Sequence, residues 1–252
     1  MRRALRPALD GLAAAAVALA VWQGIVWATA APPFILPSPG RVAQALWDNR
    51  ALIADHAVIT GAEVLAGLVL GAALGAATAV QLTLSASARR LLLPVLVFSQ
   101  AVPVFALAPI LTLWLGYGIG SKIVMTVLII YFPVASAFYD GLRRTDPVLL
   151  DLARAAGAGP WRTLLRLRLP AALPAFASGL RLAAVYAPIG AVIGEWVGAS
   201  GGLGYLMLLA NGRAKTDLMF AALFVLAAGA VALYLALGLL ARRLEARAQG
   251  LR

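Results

Sequence analysis

The sequence predicts an all-α integral membrane protein, and three observations support this fold class. Hydrophobic residues make up 63% of the 252 residues and charged residues only 12%, about half of the roughly 25% that is usual in soluble proteins. Six apolar runs are each long enough to form a membrane-spanning helix. Of the 21 basic residues, 15 lie on one side of these runs, five lie on the other, and Arg181 lies within a run. This asymmetry predicts six spans with both termini in the cytoplasm.

The six predicted spans follow the apolar runs in order. They cover residues 11–31, 57–84, 91–115, 123–139, 171–197 and 218–241. The first run has the alternative of a signal peptide, because Ala28, Thr29 and Ala30 resemble a cleavage site. However, its 21 residues are long for a signal core, and Trp22 and Trp27 suit a membrane interface. We therefore expect the first span to be retained.

The second and third spans carry features that predict how their helices pack. Gly67, Gly71 and Gly75 recur every four residues in the second span, so a neighbouring helix can approach this face closely. The third span contains three prolines, of which Pro103 is the middle one. Prolines leave backbone groups unbonded, and the membrane tolerates such groups only where protein or a wet cavity satisfies them. The third span is therefore predicted to be interrupted.

The longest stretch that cannot lie inside a membrane runs from residue 151 to residue 170. Just before it, Asp146 can cap a helix, and Pro147 suits the first helical turn. Gly157 breaks this helix, Pro160 starts a second one, and Pro170 is expected to stop it. The pattern predicts a short helix–turn–helix with an elbow of small residues, which the backbone of another protein can approach closely.

This stretch resembles the conserved cytoplasmic loop of ABC importer permeases. In that loop, Glu-Ala-Ala is followed after three residues by Gly, and after nine more by Ile-x-Leu-Pro. The matching residues here, with the full spacing kept, are Asp151, Leu152, Ala153, Gly157, Leu167, Leu169 and Pro170. Asp in place of Glu and Leu in place of the first Ala depart from the family pattern. Residues 36–39, Leu-Pro-Ser-Pro, precede a predicted short amphipathic helix, and this region resembles permeases of the taurine, nitrate and sulfonate group.

The resemblance implies a type I ABC permease fold with six transmembrane helices. It implies one permease domain over residues 1–252, in the bacterial inner membrane and surrounded by lipid, with a cytoplasmic coupling loop at residues 146–170. Two permease copies, expected to be identical, would form the pathway, with ATPase subunits on the loops and an external solute-binding protein. The chain has no G-x-x-x-x-G-K-[ST] motif, so ATP hydrolysis is assigned to the partner and the permease is expected to be non-catalytic. No cofactor, metal or nucleic acid is expected.

Polar and aromatic residues within the predicted spans are candidates for the translocation pathway. They are Ser99, Gln100, Phe105, Tyr131, Glu195 and Trp196. Ser99 and Gln100 precede Pro103, where an interrupted helix implies a lined cavity. Glu195, like Glu63 in the second span, lies near the outer end of its span, and a carboxylate in water at the rim is the alternative. For the aromatic residues the alternative is ordinary packing.

Sequence patterns argue against two other classes of protein, serine hydrolases or rhomboid-type proteases and secondary transporters. Gly198–Gly202 matches the G-x-S-x-G pattern of serine hydrolases and the G-x-S-G of rhomboid-type proteases. The first needs a strand–turn–helix, and either normally needs a histidine after the serine, whereas the only histidine, His56, comes earlier. We interpret the run as a flexible outside loop. A secondary transporter usually shows more spans, an inverted repeat and midplane ion ligands, which this sequence does not show.

Four short segments indicate the solute. Residues 103–109, 194–198, 202–207 and 216–220 resemble the permeases for thiamine-precursor pyrimidines of the hydroxymethylpyrimidine type. A carboxylate such as Glu195 can accept a hydrogen bond from an aminopyrimidine, and Trp196 and Tyr205 can stack on its ring. A sulfonate would favour cationic groups at the outer mouth instead. A pyrimidine is therefore predicted, with taurine, a sulfonate or nitrate as the alternative.

Overall fold

The structure, a computed structural model, describes the backbone of residues 2–249 and the side chains of residue 11, residues 13–243 and residue 246. This part of the chain is almost entirely helical, as the sequence predicts. Its helices are α1 (Arg2–Thr29), α2 (Pro39–Asp48), α3 (Arg50–Leu84), α4 (Ala86–Phe98), α5 (Val104–Leu115), α6 (Ile119–Arg143), α7 (Pro147–Ala155), α8 (Pro160–Thr163), α9 (Leu169–Gly198), α10 (Leu203–Gly212) and α11 (Thr216–Gln249), and a π-helical turn at Leu164–Arg168 joins α8 to α9.

Four segments of the described chain are long and apolar enough to cross a membrane. They are Arg50–Leu84, Ile119–Arg143, Pro160–Gly198 and Thr216–Arg243. These correspond to the second, fourth, fifth and sixth predicted spans. The first predicted span lies in α1, and the third is divided between α4 and α5. We call the side of the molecule that carries residues 146–170 the loop side and the opposite side the far side.

Two connections between spans contain short helices, of which α2 was predicted from the sequence and α10 was not. The predicted short helix is α2, and Oγ of Ser38 accepts a hydrogen bond from the N–H of Arg41 at its start, at 3.4 Å. The segment between the last two spans, for which no helix was predicted, contains α10. Ten apolar residues are too few to span a membrane, so length alone could not distinguish this helix from a loop.

α6 is packed tightly between α3 and α9. A Cβ atom at Gly71 of α3 would lie 2.6 Å from Cγ1 of Ile130, and one at Gly190 of α9 would lie 2.7 Å from Cα of Thr126. Gly67 of α3 also faces Thr126, so this residue of α6 lies between glycines of two neighbouring helices. Small residues allow membrane helices to approach backbone to backbone. The helix that approaches the predicted glycine face is therefore α6.

The helix that starts at Pro160 does not end at Pro170, so that prediction is wrong. It continues into α9 and ends at Gly198. In the π-helical turn the N–H of Leu169 donates to the carbonyl of Leu164, five residues earlier. Pro170 has no N–H to donate, and this wider turn directly before it lets the helix pass the proline. One continuous helix therefore joins the loop side to the far side.

On the far side, α1 and α2 contact α11. Trp22 of α1 stacks on Phe220 and Phe224, with ring centroids 5.8 and 5.7 Å apart. Arg41 of α2 forms an ion pair with Asp217 at 3.6 Å. The first span thus lies beside the last one. The basic side chains before Asp10, which the sequence predicts to be cytoplasmic, lie outside the described residues.

Candidate functional site

The loop at residues 146–170 contains the helix–turn–helix that the sequence predicts. Oδ1 of Asp146 accepts a hydrogen bond from the N–H of Val148 at 2.9 Å and so caps α7. After α7, Gly157 has a φ of +72°, in the left-handed region that glycine adopts without a Cβ clash. The N–H of Ala158 then donates to the carbonyl of Ala153 at 2.9 Å, which closes the turn.

Several apolar side chains of this loop are exposed, whereas Leu164 is buried against the spans. None of the residues of α7 is buried. We call the exposed set the coupling surface, which consists of Val148, Leu149, Leu152, Trp161 and Leu165. Leu152 is 65% exposed and Trp161 is 62% exposed. Exposed apolar patches are typical of sites that contact another protein or a membrane.

The other predicted coupling residues lie around this surface. Asp151 is exposed and forms an ion pair with Arg154, three residues further along α7. The remaining ones are half-buried: Ala153 in α7, and Leu167, Leu169 and Pro170 where the loop joins α9. Their role in coupling stays a prediction.

A cavity of about 990 Å³ opens on the loop side between the end of α6 and the start of α9. Asp140, Arg144 and Arg166 contribute charged groups to its wall, and Pro174 and Ser178 of α9 complete one side. The cavity therefore places polar groups directly between the coupling loop and the helix that crosses to the far side.

The predicted interruption of the third span lies between α4 and α5. Oγ of Ser99 donates to the carbonyl of Leu96 at 2.7 Å, and Nε2 of Gln100 donates to Oγ of Ser99 at 3.4 Å. The side chain of Gln100 is exposed, and Phe105 at the start of α5 is 65% exposed. The break thus brings three of the predicted pathway residues together.

Tyr131 and Trp196 lie elsewhere. The hydroxyl of Tyr131 donates to Oγ1 of Thr78 at 3.0 Å, between α6 and α3. Trp196 is 53% exposed and lies on a continuous exposed face of α9. We call this face the α9 stripe, which consists of Pro174, Ser178, Leu182, Val185, Tyr186, Ile189 and Trp196. The six predicted pathway residues are therefore spread over several faces, and their role in the pathway stays a prediction.

Glu195 is only 1% exposed, and its carboxylate is bonded inside the protein. Oε1 accepts a hydrogen bond from the hydroxyl of Thr60 at 2.6 Å. Oε2 accepts from the N–H of Gly204 and, at 3.3 Å, from the N–H of Tyr205. These are N–H groups of the first turn of α10, which have no partner within the helix itself. A negative charge at the start of a helix is also favoured by the helix dipole.

Two further ionisable groups lie beside Glu195. Glu63 is 2% exposed and Lys122 is 1% exposed, and both interact electrostatically with Glu195. Nζ of Lys122 donates to the carbonyl of Tyr117 at 2.8 Å and to that of Gly198, the last residue of α9. Within the described part of the chain, Oε2 of Glu63 has no hydrogen-bond partner.

These positions correct two sequence interpretations. Glu63 and Glu195 are not rim carboxylates in water, because both are buried. A hydroxyl and helix N–H groups bond Glu195, and Glu63 lies beside Glu195 and Lys122. Lys122, which the sequence places outside the spans, lies inside α6 and is buried. The run of apolar residues could not show this, because it starts one residue later.

Sequence reasoning missed His56 and Thr60. Nδ1 of His56 accepts a hydrogen bond from the N–H of Gly202 at 2.9 Å, and Oγ1 of Thr60 accepts from the N–H of Leu203 at 2.7 Å. His56, Thr60 and Glu63 fall on one face of α3 at helical spacing, which is a readable signal. The run Gly198–Gly202, predicted to be a flexible loop, is therefore anchored to α3 at its last residue.

Comparison with known proteins shows the family of this chain. Residues 65–249 match the family described as "Binding-protein-dependent transport system inner membrane component". The chain belongs to this family and is an inner-membrane, multi-pass permease of an ABC importer. Such permeases work with ATPase subunits, which hydrolyse the ATP, and with substrate-binding proteins.

Three relatives illustrate the similarity. A "Probable ABC transporter permease protein" of Haemophilus influenzae is 53% identical over 227 residues, which are 90% of this chain and 93% of that protein. The formylaminopyrimidine transport permease protein ThiX of Halalkalibacterium halodurans is 37% identical over 207 residues, covering 80% and 83%. The riboflavin transport system permease protein RibX of Chloroflexus aurantiacus is 35% identical over 228 residues, covering 90% and 85%.

A solved structure and a more distant relative complete the comparison. The structure of the MetNI methionine ABC transporter in an inward-facing conformation matches with a TM-score of 0.60 at 20% identity, over 82% of this chain and 97% of that chain. It confirms the type I ABC permease fold. The taurine transport system permease protein TauC of Escherichia coli is 30% identical over 244 residues, covering 91% and 86%.

Proposed function

We propose that residues 1–252 form a single non-catalytic permease domain that moves a small organic solute across the inner membrane. The observation that carries this proposal is the uninterrupted helix from Pro160 to Gly198. Trp161 of the coupling surface lies at one end, and Glu195 and Trp196 lie at the other. A packed helix that is continuous across the membrane can transmit a displacement of the loop to the far side.

The coupling surface is the contact site for the ATPase subunit. Its exposed apolar side chains would be buried in that contact, which favours binding in proportion to the apolar area removed from water. The elbow that follows α7 consists of alanine and glycine, so its backbone can enter a groove in the partner. The residues assigned to this role are Asp151, Leu152, Ala153, Gly157, Leu167, Leu169 and Pro170.

Two copies of the chain form the pathway, with the α9 stripe facing the second copy. The stripe is exposed along the length of α9, and most of its side chains are apolar. Ser99, Gln100 and Phe105 at the break, together with Tyr131 and Trp196, line the route, and Glu195 supports it from within the bundle. Lipid covers the other exposed apolar faces. The purified permease is then expected at twice the 26.1 kDa mass of one chain.

The proposed topology has both termini in the cytoplasm and residues 37–49 and 198–217 outside. The chain contains no cysteine, so one introduced cysteine reports one position. Ser38 caps α2 and is therefore not an ideal position, whereas Gly40 and Gly159 both face open space. In intact spheroplasts, a membrane-impermeant maleimide is expected to label Gly40→Cys, and to label Gly159→Cys only after permeabilisation. The opposite pattern would reverse the proposed orientation.

The proposed solute is a thiamine-precursor pyrimidine of the hydroxymethylpyrimidine type. The similarity to ThiX supports it, and exposed aromatic side chains such as Phe105 and Trp196 can stack on a heteroaromatic ring. The expected hydrogen bond from an aminopyrimidine to Glu195 gives no support, because both carboxylate oxygens already accept bonds within the protein. Taurine or another sulfonate is the second candidate, which the similarity to TauC favours.

Uptake by cells distinguishes these solutes. Cells that express the permease together with its ATPase and binding protein are expected to accumulate labelled hydroxymethylpyrimidine and not labelled taurine. Cells that lack only the permease should accumulate neither compound, which controls for other transporters. Accumulation of taurine without the pyrimidine would overturn the proposed solute and leave the family assignment intact.

A further inference from the structure

The start of α10 is held by side chains from other helices. Each backbone N–H from Gly202 to Leu206 has an acceptor. Four of these five N–H groups donate to side-chain atoms of α3 and α9, with Oε2 of Glu195 accepting two of them, and the N–H of Leu206 donates to the carbonyl of Gly202. The first N–H groups of a helix have no partner within it, and the hydrocarbon region of a membrane offers none. α3 and α9 therefore supply the hydrogen-bond acceptors that the first N–H groups of α10 need inside the bundle.

The carboxylate of Glu195 also explains two glycines in this region. Gly202 has a φ of +105°, and a Cβ atom there would overlap the carboxyl group of Glu195. A Cβ atom at Gly204 would lie 2.7 Å from Oε2 of Glu195. The absence of side chains at these two positions therefore makes room for the carboxylate beside the backbone of α10.

The same carboxylate joins three helices. Glu195 belongs to α9, it is bonded to Thr60 of α3, and it accepts the N–H groups that begin α10. We call the junction of α9 and α10 the far-side corner. There the ammonium group of Lys122 binds the carbonyl of Gly198, which ends α9. A positive group at the end of one helix and a negative group at the start of the next both match the helix dipoles. These two contacts, of Lys122 with the end of α9 and of Glu195 with the start of α10, are thus electrostatically favourable.

We propose that Glu195 is a positioning residue that fixes the start of α10 and the far end of α3 to α9, so that these three helices move as one unit when the coupling loop is displaced. This inference rests on the proposed function, since it takes the coupling loop as the source of the displacement. A residue that contacts the solute would need an accessible carboxylate, and Glu195 does not have one. Glu195 is 1% exposed, with hydrogen bonds to both of its oxygens.

Matched substitutions separate this role from a general need for buried charge. Glu195→Gln keeps the size of the side chain but replaces one acceptor oxygen with an NH₂ group. Thr60→Val removes the hydroxyl that bonds Glu195 and Leu203, while Thr60→Ser keeps it. Glu63→Gln makes the same chemical change directly beside Glu195, whereas the side chains that accept the N–H groups of α10 are those of His56, Thr60 and Glu195. It is the control for the Glu195 variant.

The readout is amide hydrogen exchange of residues 202–206 in the assembled complex, measured by mass spectrometry. Glu195→Gln and Thr60→Val are expected to speed exchange there about tenfold, because hydrogen bonds to charged or buried groups are lost. Thr60→Ser and Glu63→Gln are expected to leave exchange in this segment unchanged. In liposomes, Glu195→Gln is expected to keep ATP hydrolysis but to transport less solute for each ATP, because α10 and α3 no longer follow α9.

Other outcomes would overturn the proposal. Unchanged exchange in Glu195→Gln together with a raised solute KM would make Glu195 a solute contact instead. Equal effects of Glu195→Gln and Glu63→Gln on exchange would show a general requirement for charge. If Glu195→Gln does not assemble, the contrast between Thr60→Val and Thr60→Ser decides. The exchange measurement needs no solute, so it remains informative if the proposed pyrimidine is not transported.

Discussion

Gly157→Asp is expected to abolish uptake while the amount of permease in the membrane stays unchanged. A residue with a Cβ atom at a φ of +72° costs about 1 to 2 kcal/mol, so the turn after α7 would change its conformation. A Cβ atom there meets nothing within 4 Å, so overlap inside the chain plays no part. The loop lies outside the spans, so insertion is unaffected. Uptake, immunoblotting of membranes and copurification of the ATPase are the measurements.

Gly159→Asp is the matched control. Gly159 has a φ of −68° and a ψ of 167°, which any residue can adopt, and it also faces open space. It is the N-cap of α8, where an aspartate is favourable. This variant therefore adds the same charge two residues away without backbone strain, and it is expected to keep ATPase binding and uptake. Normal uptake by Gly157→Asp would contradict the proposed role of the turn.

Gly190→Leu is expected to prevent stable folding of the permease. A Cβ atom at Gly190 would lie 2.7 Å from Cα and 3.2 Å from N of Thr126, and backbone atoms cannot rotate away. On its other side Thr126 faces Gly67, so α6 has no room to shift. Overpacking a core by a few methylenes typically costs about 1 to 3 kcal/mol, and a whole leucine against backbone exceeds that. The melting temperature and the yield in detergent are the measurements.

The control for this substitution is Gly238→Leu in α11. Gly238 is also a helical glycine in a spanning segment, but a Cβ atom there meets nothing within 4 Å. Leucine is also the better helix former, by close to 1 kcal/mol. Gly238→Leu is therefore expected to keep the melting temperature of the unmodified protein. An equal loss of stability in both variants would contradict the tight contact between α6 and α9.

Features that depend on local sequence could be predicted. The apolar runs predicted the spans, because length and hydrophobicity decide whether a helix can cross a membrane. Asp146 predicted the start of α7 and Gly157 its end, since capping and a left-handed turn are properties of single residues. The predicted helix end at Pro170 was wrong. A proline normally stops a regular α-helix, and residue types do not show the π-helical turn that precedes this one.

The far-side corner could not be predicted, because it depends on contacts between distant residues. Thr60 and Glu195 are 135 residues apart, and His56 and Gly202 are 146 residues apart. Helical periodicity shows which residues share a face, but it does not show which other segment covers that face. The need for glycine at positions 202 and 204 could not be predicted for the same reason, since the neighbour of both is the side chain of Glu195.

The buried charges of this corner also constrain how the protein is made. α3 is synthesised before α6 and α9, so Glu63 precedes its neighbours Lys122 and Glu195 along the chain. An ionised side chain near hydrocarbon is costly until it meets its partners. The second span therefore reaches its final environment only when the fifth span and α10 have arrived. Assembly of this corner is thus expected to come late, and a chain that ends before Glu195 would leave Glu63 and Thr60 without this partner.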